Sequence, residues 1–257
     1  MICLSVLLLV LGLTACTQAV SKAAAEQSAV PGAANSAEQN VLPESTEPPA
    51  PEMIDFEVNR YAVTAGAAAY LGGAEEQYKA LVDAVCSKKE TEPYTDEDAA
   101  KRAAEVFAET PYSALAEVTA KDSAFQIAYT GSGDADTFDA AVKALVESCV
   151  YKDANEAEKA LSLYRTVASE FAQEGGENGS LYKTVTEQKG SAEDLANALT
   201  YLFVQNGISA DRVSGMVGES ERSWTAAELS GNRYHFDAAA EKHATDGHGL
   251  QYFGMSD

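Results

Sequence analysis

Residues 189–196 read Lys189-Gly190-Ser191-Ala192-Glu193-Asp194-Leu195-Ala196, and an apolar helical run follows as far as Asn206-Gly207-Ile208. The spacing of Ser191 and Asp194 is typical of a capping box, in which the first side chain accepts from the backbone of the second and the second reaches back. The stretch therefore predicts a tight turn followed by a helix that begins at Ala192.

Two later groups of residues complete a recognisable order. They are Ser223-Trp224 and Tyr234-His235-Phe236-Asp237. This order resembles the core of the transglutaminase-like superfamily, where a Gly-x-Cys-x-x-Tyr-Ala turn opens a helix, a Gly-Ile step follows, and a His-x-Trp strand leads to a Tyr-x-x-Asp strand. The resemblance covers about residues 154–257. It implies an α+β fold with a papain-like core, in which a helix packs on an antiparallel sheet built from about Val213–Val217, Trp224–Glu228 and Arg233–Phe236.

The same resemblance identifies the positions of a catalytic triad. In the family a cysteine attacks a carbonyl, a histidine handles the proton and an acid orients the histidine. Those positions hold Ala192, Arg222 and Asp237. A methyl group is no nucleophile, and arginine keeps its proton at physiological pH. We therefore expect a pseudoenzyme that needs no cofactor, with Arg222 and Asp237 joined in an ion pair in place of the catalytic contact.

Few other residues are candidates to replace the lost groups. If the family motif were shifted by one residue, the Ser191 hydroxyl would take the place of the cysteine thiol. A shift of one residue rotates a helical side chain by about 100°, so the hydroxyl would point elsewhere, and the role of helix cap suits Ser191 better. The spacing of His235, His243 and His248 matches no metal-ligand pattern, and we expect surface histidines, the last two in a glycine-rich loop, and no metal. We expect Trp224 to pack over the old site, with Ser191 and Tyr234 supporting the pocket.

The N-terminus resembles that of bacterial lipoproteins. An apolar run too short to span a bilayer ends in Leu13-Thr14-Ala15-Cys16, like a lipobox, although no Lys or Arg precedes the run. The resemblance implies a signal peptide over residues 1–15 and lipidation of Cys16. Residues 16–52 are rich in Ala, Ser, Glu and Pro, which predicts a disordered tether with a reach of roughly 30–36 Å.

Composition limits the partners. Of the 257 residues, 40 are acidic and 18 are Lys or Arg, so the formal net charge is -22. Such a charge repels nucleic-acid phosphates, and we expect no nucleic-acid partner. The 46% hydrophobic content is enough to bury a sizeable core. Whether Cys86 and Cys149 form a disulfide stays open.

Residues 53–150 are expected to form a mainly helical region. Tyr78, Leu81, Val82 and Val85 have helical spacing, as do Phe138, Val142, Leu145 and Cys149 further along. The run Thr95-Asp96-Glu97-Asp98 suits a helix start, and alternation over residues 125–129 predicts a strand. Residues 55–71 carry no clear pattern. We expect a transglutaminase-like domain over residues 151–257, and the sequence leaves open whether its C-terminus is truncated.

These expectations lead to one functional hypothesis and one alternative. The first is an exported lipoprotein, held at the outer face of the cell membrane through Cys16, whose inactive domain binds an envelope protein, a peptide or a cell-wall ligand, or serves a structural role. The alternative is a cysteine-independent hydrolase or acyltransferase that acts on peptide or cell-wall substrates. The sequence names neither the ligand nor the oligomeric state.

Overall fold

The computed structural model describes residues 51–176 and 179–256. Pro49–Asp257 form one compact unit, and the boundary expected at residue 150 lies inside it. The predicted signal peptide, the lipidation site Cys16 and nearly all of the predicted tether lie outside the described residues. Within them, no helix has both the length and the apolar character needed to traverse a bilayer.

The described residues form a mixed α+β fold with antiparallel sheets, as predicted. The helices are α1 (Ala65–Leu71), α2 (Glu75–Cys86), α3 (Glu97–Ala108), α4 (Ala135–Cys149), α5 (Glu156–Glu170), α6 (Leu181–Glu187), α7 (Ala192–Gln205) and α8 (Ala238–Thr245), with a 3₁₀ helix at Pro111–Ala114. The strands are β1 (Thr91–Pro93), β2 (Ala116–Lys121), β3 (Ala124–Tyr129), β4 (Ala172–Gln173), β5 (Lys189–Gly190), β6 (Ala210–Val217), β7 (Ser220–Leu229) and β8 (Asn232–Phe236).

The predicted helices of the first half are confirmed, and their apolar stripes pack against the core. All four stripe residues of α2 are at most 2% exposed. Helix α3 begins where expected, because the Asp96 side chain accepts from the Ala99 backbone and closes the helix N-terminus. The strand predicted over residues 125–129 is the centre of a three-stranded antiparallel sheet in the order β1-β3-β2. Strand β2 was not predicted, although apolar and polar residues alternate over Ala116–Lys121, whereas β1 has only three residues and no clear pattern.

Residues 51–64 form an extended segment, which we call the strap, between the predicted tether and α1. The Ile54 backbone donates to the Val150 carbonyl at 3.0 Å. Phe56 is buried in the core at 6% exposure. Arg60 forms ion pairs with Asp139 and Asp136, each at 2.6 Å. The strap is thus anchored along its length to α4 and its neighbours, although its sequence shows no periodicity.

Helix α7 is the centre of the second half. Its N-terminus has the predicted capping box: the Ser191 side chain accepts from the Asp194 backbone, and the Asp194 carboxylate accepts from the Ser191 backbone at 2.8 Å. The helix packs against a three-stranded antiparallel sheet in the order β6-β7-β8. The predicted sheet is therefore confirmed, with strands a few residues longer than expected.

Helix α8 follows this sheet directly, where the sequence pattern predicts no helix. Asp237 is its N-cap, and its carboxylate accepts from the Ala240 backbone at 2.8 Å. His243 lies in the last turn of α8, and the expectation that it belongs to a glycine-rich loop was wrong. The three consecutive alanines after Asp237 favour a helix once that residue caps it.

Cys86 and Cys149 are both free, so they do not form the disulfide that the sequence left open. Each lies at the end of a helix, partly buried against the core. Burial raises the pKa of the Cys86 thiol to about 11 and also raises the pKa of Cys149. Both are therefore protonated thiols at neutral pH and poor nucleophiles.

Candidate functional site

Ala192, at the position that the resemblance assigns to a nucleophile, is the first residue of α7. The turn before it is tight, because a Cβ on Gly190 would lie 2.6 Å from the Cβ of Asp194. The same turn is tied to the preceding loop, since the Gly179 backbone donates to Asp194 at 2.9 Å. Ala192 itself is exposed. The geometry at this helix N-terminus would suit an activated thiolate, but the side chain is a methyl group.

Arg222 and Asp237 do not form the ion pair that the sequence predicted, and that prediction was wrong. Arg222 is exposed on β7 opposite Gly215, and no ion pair within 4.0 Å joins it to Asp237 in the described part of the chain. Its charge still acts on Asp237: desolvation raises the pKa of that buried carboxyl, while the Ala240 backbone and Arg222 lower it in part. The carboxylate is used instead to cap α8.

The elements that carry the three positions pack together, because α7 contacts both β7 and α8. The side chains of Ala192 and Arg222 do not converge, since Arg222 lies two residues before Trp224 on β7 and shares its face of the sheet, away from α7. Thr225 of β7 reaches α7. Its hydroxyl donates to the Ala196 carbonyl at 3.1 Å and lies 3.0 Å from the Thr200 hydroxyl. Both threonines are buried. A polar contact between sheet and helix is thus present one helical turn after Ala192.

Trp224 points to the face of the sheet away from α7, since side chains alternate along a strand. Its indole N–H donates to His235 Nδ1 at 2.8 Å. Its ring lies over Gly215, where a Cβ would come within 2.9 Å of the indole. Trp224 therefore packs on the sheet, on the face opposite to the first residue of α7, and the expectation that it packs over the site at Ala192 was wrong. Tyr234 is half-buried and packs against the core on β8.

A cavity of about 570 Å³ lies along a different flank of α7. Its walls come from the strap and α1, from α3 with the 3₁₀ helix, and from the start of α6, α7 and β6. Asn197, Thr200 and Tyr201 of α7 contribute to it, whereas the pocket residues expected from the sequence do not; these are Ser191, Ala192, Trp224 and Tyr234. Its size is within the range of small-ligand sites. Sequence reasoning missed it because its walls are far apart in the chain.

A second polar group that sequence reasoning missed is Glu241 of α8, which is fully buried. Its carboxylate accepts from the Tyr164 hydroxyl at 2.9 Å, the Tyr252 backbone at 2.8 Å and the Thr245 hydroxyl at 2.7 Å. Desolvation alone would raise its pKa, but these hydrogen bonds outweigh it and the pKa is lowered. Glu241 joins α8 to α5 and to the final segment.

The histidines do not gather into a metal site. Throughout residues 51–176 and 179–256, no group of three or more His, Cys, Asp and Glu side chains is placed to hold an ion. His235 is engaged by Trp224 on the sheet, whereas His243 belongs to α8.

Comparison with models of known protein families gave no match, and comparison with curated proteins gave no sequence similar to this chain.

Proposed function

We propose that the protein is a non-catalytic binding module, exported and anchored to the outer face of the cell membrane through Cys16. Its C-terminal half would be a papain-like core of the transglutaminase type that has lost its chemistry. The observation that carries the proposal is the methyl group of Ala192 at the first residue of α7. In the resembled family this position holds the attacking sulfur. The cysteines of the described residues, Cys86 and Cys149, belong to other helices.

The papain-like assignment is supported by the arrangement of helix and sheet. Helix α7 begins after a Gly190-Ser191 turn and packs on the β6-β7-β8 sheet. The base position lies on β7, and the acid position directly follows β8. This is the order of elements that the resemblance implies.

The loss of catalysis is supported by the state of all three triad positions. Ala192 has no reactive atom. Arg222 is permanently protonated, and Asp237 caps a helix instead of orienting a base. Removing a nucleophile or base costs on the order of a millionfold in turnover in a serine protease that uses a comparable triad. Binding is what such a fold retains, and the cavity beside α7 offers a surface for it.

The test is a turnover assay of the purified protein with peptide esters and with a glutamine peptide plus a fluorescent amine. We expect no hydrolysis and no amine incorporation above background. The matched variant is Ser191→Asn, which removes the hydroxyl beside Ala192 but keeps a side chain that caps the helix. Turnover that disappears in Ser191→Asn would overturn the proposal and establish the hydrolase alternative.

A further inference from the structure

Trp224 lies on the outer face of the β6-β7-β8 sheet, which is the side turned away from α7. It is the only tryptophan of the chain. Val213 stands opposite Trp224 in the register of β6 and β7, so the two side chains share this face. Within the described residues, the apolar side chains that pack against the hydrophobic core include neither Trp224 nor Val213. The largest side chain of the protein is therefore directed away from the main core.

The indole ring of Trp224 is held along the sheet by contacts at both of its ends. At one end its N–H donates to Nδ1 of His235 on β8 at 2.8 Å. At the other end its benzene edge lies over Gly215 on β6, where a Cβ would come within 2.9 Å of the ring. A ring whose two ends rest on the strands on either side of its own lies flat on the sheet, so its other face is turned to solvent. Trp224 is half-buried, in agreement with this arrangement.

Arg222 places a positive charge beside this ring. It lies two residues before Trp224 on β7 and is exposed on the same face of the sheet. In residues 51–176 and 179–256 no ion pair engages its guanidinium, although the chain has 40 acidic residues. An anionic group bound next to the Trp224 ring would supply the partner that the fold does not.

The acids on the same face are already engaged. Asp211 of β6 accepts from the Gly66 backbone at 2.9 Å, and Asp237 accepts from the Ala240 backbone at the start of α8. Further along the face, Glu228 stands opposite Arg233 in the register of β7 and β8, so their charges offset each other. The unmatched charge next to the ring is therefore positive.

An aromatic ring that lies open on a sheet favours one kind of ligand. A ligand stacked on it leaves its own outer side in water, so that side must be hydrophilic. Aliphatic and aromatic ligands prefer concave, largely apolar sites, whereas a pyranose has hydroxyl groups around its rim and apolar C–H groups on its face. Those C–H groups complement the negative face of the indole π system. A carboxylate on the same saccharide would pair with Arg222 in a bidentate contact.

We infer that the outer face of this sheet binds an acidic saccharide, with one pyranose ring stacked on Trp224 and a carboxylate paired with Arg222. The indole is fixed before binding, so little conformational freedom is lost when the ligand arrives. This inference rests on the proposed role as a binding module and gives that module its ligand class. The site is separate from the cavity beside α7, which Arg222, Trp224 and His235 do not line.

The experiment is a fluorescence titration of the purified full chain with trigalacturonic acid, at about 0.15 M salt so that the distant acids of the protein are screened. Because Trp224 is the only tryptophan, its emission reports on this face directly. The matched ligand is the methyl ester of the same trisaccharide, which keeps the rings and removes the charge. We expect a saturable change with the acid and about tenfold weaker binding of the ester, since a charged contact is lost.

Three results would overturn the inference. The first is an emission that the acid leaves unchanged, and the second is equal binding of the acid and the ester. The third is an emission that changes with protein concentration when no saccharide is present, because this would assign the face to a second copy of the chain.

Variants locate the site. Arg222→Gln should weaken binding of the acid about tenfold and leave binding of the ester unchanged. Arg165→Gln, at an exposed arginine of α5, is the matched control and should leave both affinities unchanged. Trp224→Phe, measured by calorimetry, should weaken acid and ester alike, because the stacking ring is smaller. Equal effects of Arg222→Gln and Arg165→Gln, or full affinity in Trp224→Phe, would contradict the site. Because no turnover is measured, failure here leaves the proposed loss of catalysis unaffected.

Discussion

Single residues decide both the architecture and the chemistry of this protein. Ser191 and Asp194 start α7 through reciprocal hydrogen bonds, and Asp237 starts α8 by accepting from its first turn. Ala192, at the position that the resemblance assigns to an attacking cysteine, differs from a cysteine by one sulfur atom. The stability of the turn before Ala192 can therefore be tested by substitution, without an activity assay.

Gly190 tests the tightness of the turn before α7. Replacing it with alanine places a Cβ 2.6 Å from the Cβ of Asp194, so we expect Gly190→Ala to lower the free energy of unfolding by about 1–3 kcal/mol. Gly175→Ala is the matched control, because a Cβ there meets nothing within 4 Å. Urea unfolding of both variants measures the difference. Equal stability of the two would show that the turn is not constrained by this contact.

Glu241 gives a dependence of stability on pH. Its pKa is lowered in the folded protein, so its ionised form favours folding. This contribution is complete above the unfolded pKa of about 4.3 and is lost as pH falls through the lower folded value. Glu241→Gln should cost about 3 kcal/mol at pH 7, because three hydrogen bonds to a charged group are disturbed.

The same variant should approach the native protein in stability as the pH is lowered below about 4. Urea unfolding from neutral to acidic pH measures this, with Glu228→Gln, an exposed acid on β7, as control. A constant difference between native protein and Glu241→Gln over that range would contradict the assigned charge state.

Elements with a strong apolar period could be predicted, and elements fixed by distant partners could not. The stripes of α2, α4 and α5 are visible in the sequence because one helix face is buried continuously. Strand β1 has no such signal because it has three residues, ends in Pro93 and pairs only with β3. The strap also lacks a periodic signal, because individual hydrogen bonds to α4 and α7 hold it and no continuous face of it is buried.

For the candidate site too, placements that depend on local motifs could be predicted, and contacts between distant segments could not. The motif order of the resemblance predicted Ala192 at the start of a helix and Asp237 at the end of a strand, and both placements agree with the structure. The predicted contact between Arg222 and Asp237 failed because the neighbouring backbone of α8 offered Asp237 closer donors. The cavity and Glu241 depend on packing between segments far apart in sequence, which no local pattern encodes.

The strap tests whether the first described segment is part of the cooperative fold. Phe56 is buried at 6% exposure, so Phe56→Ala should lower the free energy of unfolding by about 3 kcal/mol. Tyr61→Phe removes only an exposed hydrogen bond to Asp83 and should cost less than about 1 kcal/mol. Urea unfolding compares the two. A neutral Phe56→Ala would mean that the strap contributes nothing to stability.

At the scale of the whole molecule, we propose one compact unit preceded by a tether, residues 16–52, that is rich in acidic and small residues. Residues Pro49–Asp257 carry the described fold. The high negative charge, -22, would keep such a module soluble and disfavour adhesion to anionic lipid headgroups. Attachment would then depend on the lipid alone.

Lipidation of Cys16 is tested by metabolic labelling with a radioactive fatty acid in a bacterial host, followed by membrane fractionation. We expect label and membrane association in the native protein, and loss of both in Cys16→Ala, because stable anchoring needs two acyl chains. Cys3→Ala is the matched control and should keep the label. Label that persists in Cys16→Ala would contradict the proposed anchor.

The central proposal is that Ala192, at the position that the resemblance assigns to an attacking cysteine, leaves the chain without acyl-transfer chemistry. It is tested most directly by mass spectrometry of the native chain and of the variant Ala192→Cys after exposure to a peptide ester, with Ala69→Cys, at an exposed residue of α1, as the control thiol. We predict faster acylation of the thiol introduced at the start of α7 than of the control thiol, because a helix N-terminus lowers the pKa of a thiol, and no acylation of the native chain. Equal rates for the two introduced thiols, or an acyl adduct on the native protein, would contradict the account.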